Sequence, residues 1–410
     1  MKRFGIRALT VLLFSALSVF MTSCGGGGGG GTTETYLNSG SLDTNFDTDG
    51  IVVHSNAAGG NGSDAGFDIA RDLSGKVLVT GRSLNAAGNF DMVIWRYNAD
   101  GTPDTTFNFD GKVVHNSAAG GNGYDYGIAI TLDSSGRILV AGSSLNAASN
   151  SDMVIWRCNA DGTLDTTFDT DGIVVHSSAA GGNGADYGNA IALDSSGRIL
   201  VTGSSRNAAG NSDMVIWRYN ADGTLDTTFD ADGIVVHNGA AGGNGDDGGN
   251  AIVLDSSGRI LVAGLSDSDA TAGSNYDMVI WRYKPDGTLD TTFDSDGIVV
   301  HNSAAGGNGN DYGSDIALDS SGRILVAGSS DSDATAGSNY DMVIWRYKPD
   351  GTLDTTFDSD GIVVHNSAAG GNGDDYGSDI ALDSSGRILV AGYSRNAAGN
   401  DDMVIWRYNP

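Results

Sequence analysis

Carboxylates are the main chemical resource of this sequence. Fifty Asp and a single Glu (Glu34) face 22 Lys and Arg, and the formal net charge is −29 at pH 7. Asp favours turns and suits oxygen-ligated cations, whereas Glu favours helices. The densest cluster is Asp222, Asp226, Asp230 and Asp232. It recurs as Asp286, Asp290, Asp294 and Asp296, and again as Asp350, Asp354, Asp358 and Asp360. Four carboxylates within eleven residues could supply part of the roughly six to eight oxygens that Ca²⁺ takes, so calcium is the cofactor this spacing suggests. The competing reading is that each Asp ties its own turn by accepting backbone hydrogen bonds. The copy containing Asn108-Phe109-Asp110 breaks the pattern.

Histidine offers a second candidate chemistry. The six histidines, His54, His115, His176, His237, His301 and His365, each end an identical Val-Val-His. A shared zinc would need its ligands to converge to about 2.0–2.3 Å from one ion. These strands are the outermost of their sheets, so the imidazoles point away from one another and take a packing or surface role. Cys158 stands where the other repeats have Tyr97, Tyr219, Tyr283, Tyr347 and Tyr408. With apolar neighbours and no matched base, it reads as a tolerated substitution and not a nucleophile. Stretches such as Gly370-Gly371-Asn372-Gly373-Asp374-Asp375 match part of a calcium-binding nonapeptide, but that motif stacks successive turns, and these copies are about 60 residues apart, so a flexible loop linking one blade to the next is expected instead. One asymmetry remains. Asp68, Asp315 and Asp379 share a first-strand position where the other copies have Ala, which suggests an acidic arc for a cation or carbohydrate.

These residues are carried by one unit repeated. Trp95, Trp156, Trp217, Trp281, Trp345 and Trp406 lie 61, 61, 64, 64 and 61 residues apart. That period is too long for one solenoid coil and fits a four-stranded blade. In the third unit, Asn189–Asp194 alternates as a first strand and Ser195-Ser196-Gly197 turns the chain into Arg198–Gly203. Met214–Tyr219 is a third strand, with Met214 and Ile216 on one face and Val215, Trp217 and Tyr219 on the other. Ile234–His237 is the fourth. Second and third strands are apolar on both faces, so each sheet needs a neighbour on either side. Blades around an axis meet that need.

The predicted fold is therefore all-β, a six-bladed β-propeller of four-stranded antiparallel blades. The chain enters at the tail half of a unit, Ser41–His54, and leaves after a third strand, Asp402–Pro410. The N-terminal Ile51–His54 is thus expected to pair into the last blade and close the ring.

The motifs carry a resemblance. Gly197-Arg198-Ile199-Leu200-Val201 and the run Trp217-Arg218-Tyr219-Asn220-Ala221-Asp222-Gly223-Thr224-Leu225-Asp226-Thr227-Thr228-Phe229 resemble the delta-60 repeat family of bacterial β-propellers. The Gly-Gly-Asn-Gly-x-Asp-Tyr-Gly stretches resemble the related SBBP propeller repeat. The likeness covers roughly residues 39–410. It departs from the family where Phe-Asp-x-Asp-Gly replaces a glycine-rich segment. The resemblance implies a secreted or surface propeller and transfers no catalytic site.

The amino terminus reads as an address. Lys2, Arg3 and Arg7 precede the apolar run Ala8–Phe20, and Met21-Thr22-Ser23-Cys24 resembles a bacterial lipobox with Met in place of Leu. This predicts a signal peptide over 1–23, a lipidated Cys24 with a Gly-rich tether over 24–38, and the propeller over 39–410. The expected location is the outer membrane or cell surface, with the lipid as membrane anchor. The charge excludes nucleic acid as a partner, and two cysteines cannot form a disulfide scaffold. A monomeric scaffold binding protein or glycan is the leading expectation. Loops between second and third strands differ most among copies: Ser144–Ser151 is short, whereas Ser266–Asn275 is long. The alternative is an enzyme acting on extracellular glycans, which needs an asymmetric acid, base and orienter.

Overall fold

Each repeat folds as its alternating side chains require. The computed structural model describes residues 42–268, 275–307, 309–332 and 339–410. The expected signal peptide, Cys24 and the tether lie outside the described residues, as do 269–274 and 333–338 of the longer loops.

Blade one holds β1 (Gly59–Arg71), β2 (Val77–Asn85), β3 (Phe90–Tyr97) and β4 (Lys112–His115). Blade two holds β5 (Gly120–Leu132), β6 (Ile138–Asn146), β7 (Ser151–Cys158) and β8 (Ile173–His176). Blade three holds β9 (Gly181–Leu193), β10 (Ile199–Asn207), β11 (Ser212–Tyr219) and β12 (Ile234–His237). Blade four holds β13 (Asp247–Leu254), β14 (Ile260–Asp267), β15 (Tyr276–Tyr283) and β16 (Ile298–His301). Blade five holds β17 (Asp311–Leu318), β18 (Ile324–Asp331), β19 (Tyr340–Tyr347) and β20 (Ile362–His365). Blade six holds β21 (Gly370–Leu382), β22 (Ile388–Asn396) and β23 (Asp401–Tyr408). Neighbouring strands pair antiparallel in chain order, so the molecule is an all-β, six-bladed propeller.

The two-faced third strand is what stacks the blades. Val215, Trp217 and Tyr219 share a core with Leu139, Ala141, Met153 and Ile155 of blade two. Met214 and Ile216 share another with Ile260, Val262, Val279 and Trp281 of blade four. Full burial of each such side chain contributes about 1.5–3 kcal/mol. Equivalent cores join blades one and two, four and five, and five and six.

Two expectations need correction. First, the Gly-Gly-Asn-Gly stretch is not a linker in blades one, two, three and six: it is the start of the first strand. In blade three Gly181 pairs with Asn207, with a register shift before the regular ladder. Glycine is needed there because a Cβ on Gly182 would lie 2.1 Å from the Arg206 carbonyl oxygen.

Second, Ile51–His54 does not pair with Asp402–Tyr408. The last sheet has three strands and Ile51–His54 is not a strand. The segment instead lies on blade one, where Val52 packs near Val93, Trp95 and Tyr97. It keeps the aromatic contacts that a fourth strand makes with the following blade and lacks the ladder to the preceding one. Met403 and Ile405 are consequently 75% and 62% exposed, whereas Met214 and Ile216 are fully buried.

Candidate functional site

The Asp-rich loops follow the third strand in blades one to five, at one end of the blades, and most of their carboxylates tie a local turn. In blade three, Asp222 Oδ1 accepts the Thr224 N–H and hydroxyl at 3.0 and 2.7 Å. Asp226 Oδ1 accepts the same pair from Thr228, and its Oδ2 accepts Arg218 Nε at 2.8 Å. Asp232 Oδ1 accepts the Ile234 N–H at 3.0 Å. Asp230 sits at a left-handed φ of 44° and donates its N–H to the Asp286 carbonyl of blade four at 2.8 Å.

The pattern repeats in the other two clusters. Asp286 and Asp290 hold Thr288 and Thr292, and Asp296 holds the Ile298 N–H. Asp350 and Asp354 hold Thr352 and Thr356, and Asp360 holds the Ile362 N–H. Asp294 and Asp358 share the left-handed backbone of Asp230. Among the described residues, no three His, Cys, Asp or Glu side chains gather as a metal would require. The geometry supports the turn reading.

Protonation follows the same division. Burial pushes the Asp226 carboxyl up, but hydrogen bonds from Thr228 and the Arg218 charge outweigh it and hold the group below the usual carboxylate value. The exposed Asp222 is held low by the Thr224 bonds. Burial, followed by the neighbouring Asp232 and Asp286, pushes Asp230 up.

Arginine is the residue that sequence reasoning missed. Arg218 stands 4.4 Å over the Phe229 ring, binds Asp226, and donates from Nη1 to the Pro285 carbonyl of blade four. Arg157 does the same with Phe168, Asp165 and the Ala221 carbonyl of blade three. Arg96 and Arg282 repeat it. The signal was present as Trp-Arg followed by Leu-Asp-Thr-Thr-Phe in the same unit. The Asp-rich end is thus a clasp between blades.

The histidines clip neighbouring blades together. His176 Nδ1 lies 3.0 Å from the Tyr219 hydroxyl, and His237 and His301 meet Tyr283 and Tyr347 at the same distance. His54 and His365 meet Tyr97 and Tyr408 at 3.2 and 3.4 Å. Each ring also lies against the Trp of the following blade.

The acidic arc divides as well. Asp68 Oδ2 accepts the Ile130 N–H of blade two at 2.8 Å, and Asp315 Oδ2 accepts the Ile380 N–H of blade six at 3.0 Å. Asp379 is 4% exposed. Asp68 and Asp315 therefore tie one blade to the next, in the way that Asn189 and Asn250 bind the Gly249 and Gly313 carbonyls.

The opposite end of the blades differs from copy to copy. One repeat position, within the first strand or immediately before it, holds Ser63, Tyr124, Ala185, Asp246, Asn310 and Asp374. The start of the third strand holds Phe90, Ser151, Ser212, Tyr276, Tyr340 and Asp401. Between blades one and two, Phe90, Tyr124 and Tyr126 cluster at 5.8–6.1 Å around Arg82, and Tyr124 is 43% exposed. Between blades two and three, Asn150, Asn183, Arg206 and Asn207 line an open groove of about 490 Å³. Tyr276, Tyr312, Tyr340, Tyr376 and Tyr393 form a chain of ring contacts across blades four to six.

No curated protein matches this chain. Several solved structures are distantly alike. A protein of unknown function from Dyadobacter fermentans is 11% identical with a TM-score of 0.43, over 83% of this chain and 92% of that one. An ulvan lyase is 11% identical with a TM-score of 0.41, over 83% and 82%. A carbohydrate-active enzyme of family AA12 from Trichoderma reesei is 13% identical with a TM-score of 0.42, over 82% and 92%. Residues 180–208 and 305–333 match the SBBP beta-propeller repeat. The segments 74–107, 134–168, 195–229, 256–293, 320–357 and 384–410, together half of the chain, match a second propeller family. Six matched repeats in six blades place the chain in that family, and it belongs to the beta-propeller domain of unknown function DUF5122.

Proposed function

We propose that this protein is a ligand-binding scaffold, exported and anchored as a lipoprotein through Cys24, whose variable blade end recognises glycan chains. The observation that carries this reading is the separation of the two blade ends. At one end blades one to five repeat the Arg-Asp-Phe clasp, while at the other the side chains change from blade to blade. A structural requirement common to all blades would repeat in all of them, so the variable end is where ligand selection has room to act.

The chemistry there suits sugars. An exposed Tyr124 ring offers an apolar face for stacking a pyranose. The amides of Asn150 and Asn207 and the Arg206 guanidinium present donors and acceptors along an open groove. A Cys24→Ser chain on a glycan array should bind a family of related glycans. Tyr124→Ala and Asn150→Ala/Asn207→Ala should each weaken that binding about tenfold, the loss of one contact worth about 1.4 kcal/mol. Absence of any glycan signal would overturn the reading, and cleavage of a bound glycan would replace it with an enzyme. Membrane fractionation of Cys24→Ser tests the anchor: release is expected, and full retention counts against it.

A further inference from the structure

At the variable blade end, the junction between blades two and three lacks a tie that the neighbouring junctions have. From blade three onward, one side chain at the head of each first strand reaches back to the start of the preceding third strand. Asp246 Oδ1 accepts the Ser212 N–H at 2.8 Å, Asn310 Oδ1 accepts the Tyr276 N–H at 3.0 Å, and Asp374 Oδ1 accepts the Tyr340 N–H at 3.4 Å. Between blades one and two, rings replace the bond, with Tyr124 lying 5.8 Å from Phe90. Between blades two and three the same two positions hold Ala185 and Ser151. A methyl group accepts no hydrogen bond, and both side chains are small. This is the junction where the groove of about 490 Å³ opens, lined by their chain neighbours Gly184 and Asn150.

Blade six shows what that space accommodates. Asp374 takes the Tyr340 N–H on one oxygen, and its other oxygen lies 3.4 Å from Arg395. Arg395 also meets Asp401 at 3.2 Å. Blade three has the same frame. Gly181 pairs with Asn207 as Gly370 does with Asn396, and a Cβ on Gly184 would run into the Arg206 side chain as one on Gly373 would into that of Arg395. Arg206 is therefore the counterpart of Arg395, but Ala185 and Ser212 stand in place of both carboxylates. Arg206 forms no ion pair among the described residues. Its Nε donates to the Gly210 carbonyl at 2.8 Å, which steadies the guanidinium and leaves both Nη nitrogens for a ligand.

We propose that the groove between blades two and three is a carboxylate subsite, so that the glycans recognised at this end are uronate-bearing chains. The ligand's carboxylate takes the place that Asp374 fills in blade six. One oxygen accepts the Ser151 N–H, and Arg206 closes on the carboxylate from the side of blade three. This inference rests on the glycan reading and adds the class of sugar to it.

The chain's net charge of −29 does not exclude an anion at this point. Asp152, Asp186 and Asp213 adjoin Ser151, Ala185 and Ser212 in sequence, and each already accepts a hydrogen bond, from the Asn146 amide, the Ser178 N–H and the Asn207 amide respectively. At the junction of blades five and six, Asp374 is seated among their counterparts Asp341, Asp375 and Asp402. The same surroundings therefore tolerate one more carboxylate when an arginine and a backbone N–H receive it. Arg206 supplies the first and Ser151 the second.

The test uses the Cys24→Ser chain with tetramers of galacturonate, glucuronate and mannuronate, each as the free acid and as its methyl ester. The ester keeps the sugar and removes the charge. At least one free acid should bind about tenfold or more tighter than its ester, with the difference growing at low salt. Arg206→Gln should erase that preference and leave ester binding unchanged. Ala185→Asp supplies the missing carboxylate from the chain itself. It should abolish uronate binding and raise the melting temperature without ligand, because Arg206 and the Ser151 N–H then gain the partner that Asp374 gives in blade six. Equal binding of acid and ester, binding of neutral glycans only, or an Arg206→Gln loss shared by acid and ester overturns the carboxylate subsite and leaves glycan recognition standing. No glycan bound at all overturns glycan recognition itself. An oligo-aspartate peptide bound through Arg206 in its place overturns both. The melting temperature of Ala185→Asp tests the geometry whichever sugar is chosen, and no rise overturns it.

Discussion

The Tyr219 hydroxyl and His176 Nδ1, 43 residues apart and in adjacent blades, lie 3.0 Å from each other. The pair turns a sheet edge into an inter-blade tie, and it recurs at all but one junction that this chain builds from a Val-Val-His segment. The exception is His115, whose Nδ1 is buried without a hydrogen-bond partner because blade two carries Cys158 at the Tyr position.

Cys158→Tyr should therefore stabilise the protein. It supplies the missing hydroxyl at a site whose repeat neighbours accommodate Tyr, adding about 1 kcal/mol from one hydrogen bond and the relief of an orphaned nitrogen. The melting temperature should rise by about 2 °C. Cys158→Phe is the control, since it fills the same space without the hydroxyl. An equal rise in both variants would assign the effect to packing alone.

Acidification should destabilise the fold, and two buried carboxylates should soften the loss. Burial holds His115, His176, His237 and His301 below the ordinary imidazole value of 6.5, so the unfolded chain binds their protons more readily. Their contribution is complete above pH 6.5 and is lost as pH falls through it. Burial acts in the opposite direction on Asp247 and Asp311, pushing both up to about 6. Their contribution is fully present below 3.8 and is lost as pH rises through about 6. Between pH 7 and 5 the wild type gains from Asp247 and Asp311 part of what the histidines lose. Asp247→Asn/Asp311→Asn removes that offset, so its melting temperature should fall more steeply over this range. An unchanged slope would contradict the assignment.

Arg218→Ala should be among the most damaging single changes outside the apolar core. It leaves the 5%-exposed Asp226 without its main cation and removes a bond to the next blade. Breaking a buried pair from one side costs about 3–5 kcal/mol. Arg198, 3.5 Å from the same carboxylate, should keep the loss toward the lower end. Arg218→Ala/Asp226→Ala should recover part of it in chemical denaturation. No recovery would mean that the Phe229 stacking or the Pro285 bond dominates.

How much of this was legible depended on which interactions are local. The period-two alternation around Trp217 located β11 and assigned its two faces correctly, because burial on each face is encoded residue by residue. The Asn189–Asp194 strand was placed but truncated, since Gly181–Gly184 offers no side-chain alternation and pairs only by close backbone approach. Asp226 was singled out for its neighbours in sequence, whereas its true partner Arg218 lies across the loop on β11. Asp68 and Asp315 stood out because other copies lack them, but their partners are backbone N–H groups in the next blade. A single chain of letters does not display those bonds.

The calcium reading of the Asp-rich loops has a direct test. Asp222, Asp226 and Asp232 already spend Oδ1 on Thr224, Thr228 and Ile234, and Asp226 Oδ2 lies in an arginine pair. A cation would have to displace these bonds before gaining ligands, so preferential binding to the folded state should be weak. Specific binding stabilises by RT ln(1 + [L]/Kd), about 2.7 kcal/mol per site at a hundredfold excess over Kd. Screening by salt acts on all exposed carboxylates without ligand geometry. Melting in chelator, in millimolar Ca²⁺ and in NaCl of matched ionic strength should therefore give equal rises in the two salts. Asp230→Asn/Asp232→Asn should leave that equality intact and relieve the repulsion that Asp232 exerts on Asp230. A rise specific to Ca²⁺ that shrinks in this variant would make the loops cation sites despite their internal bonds.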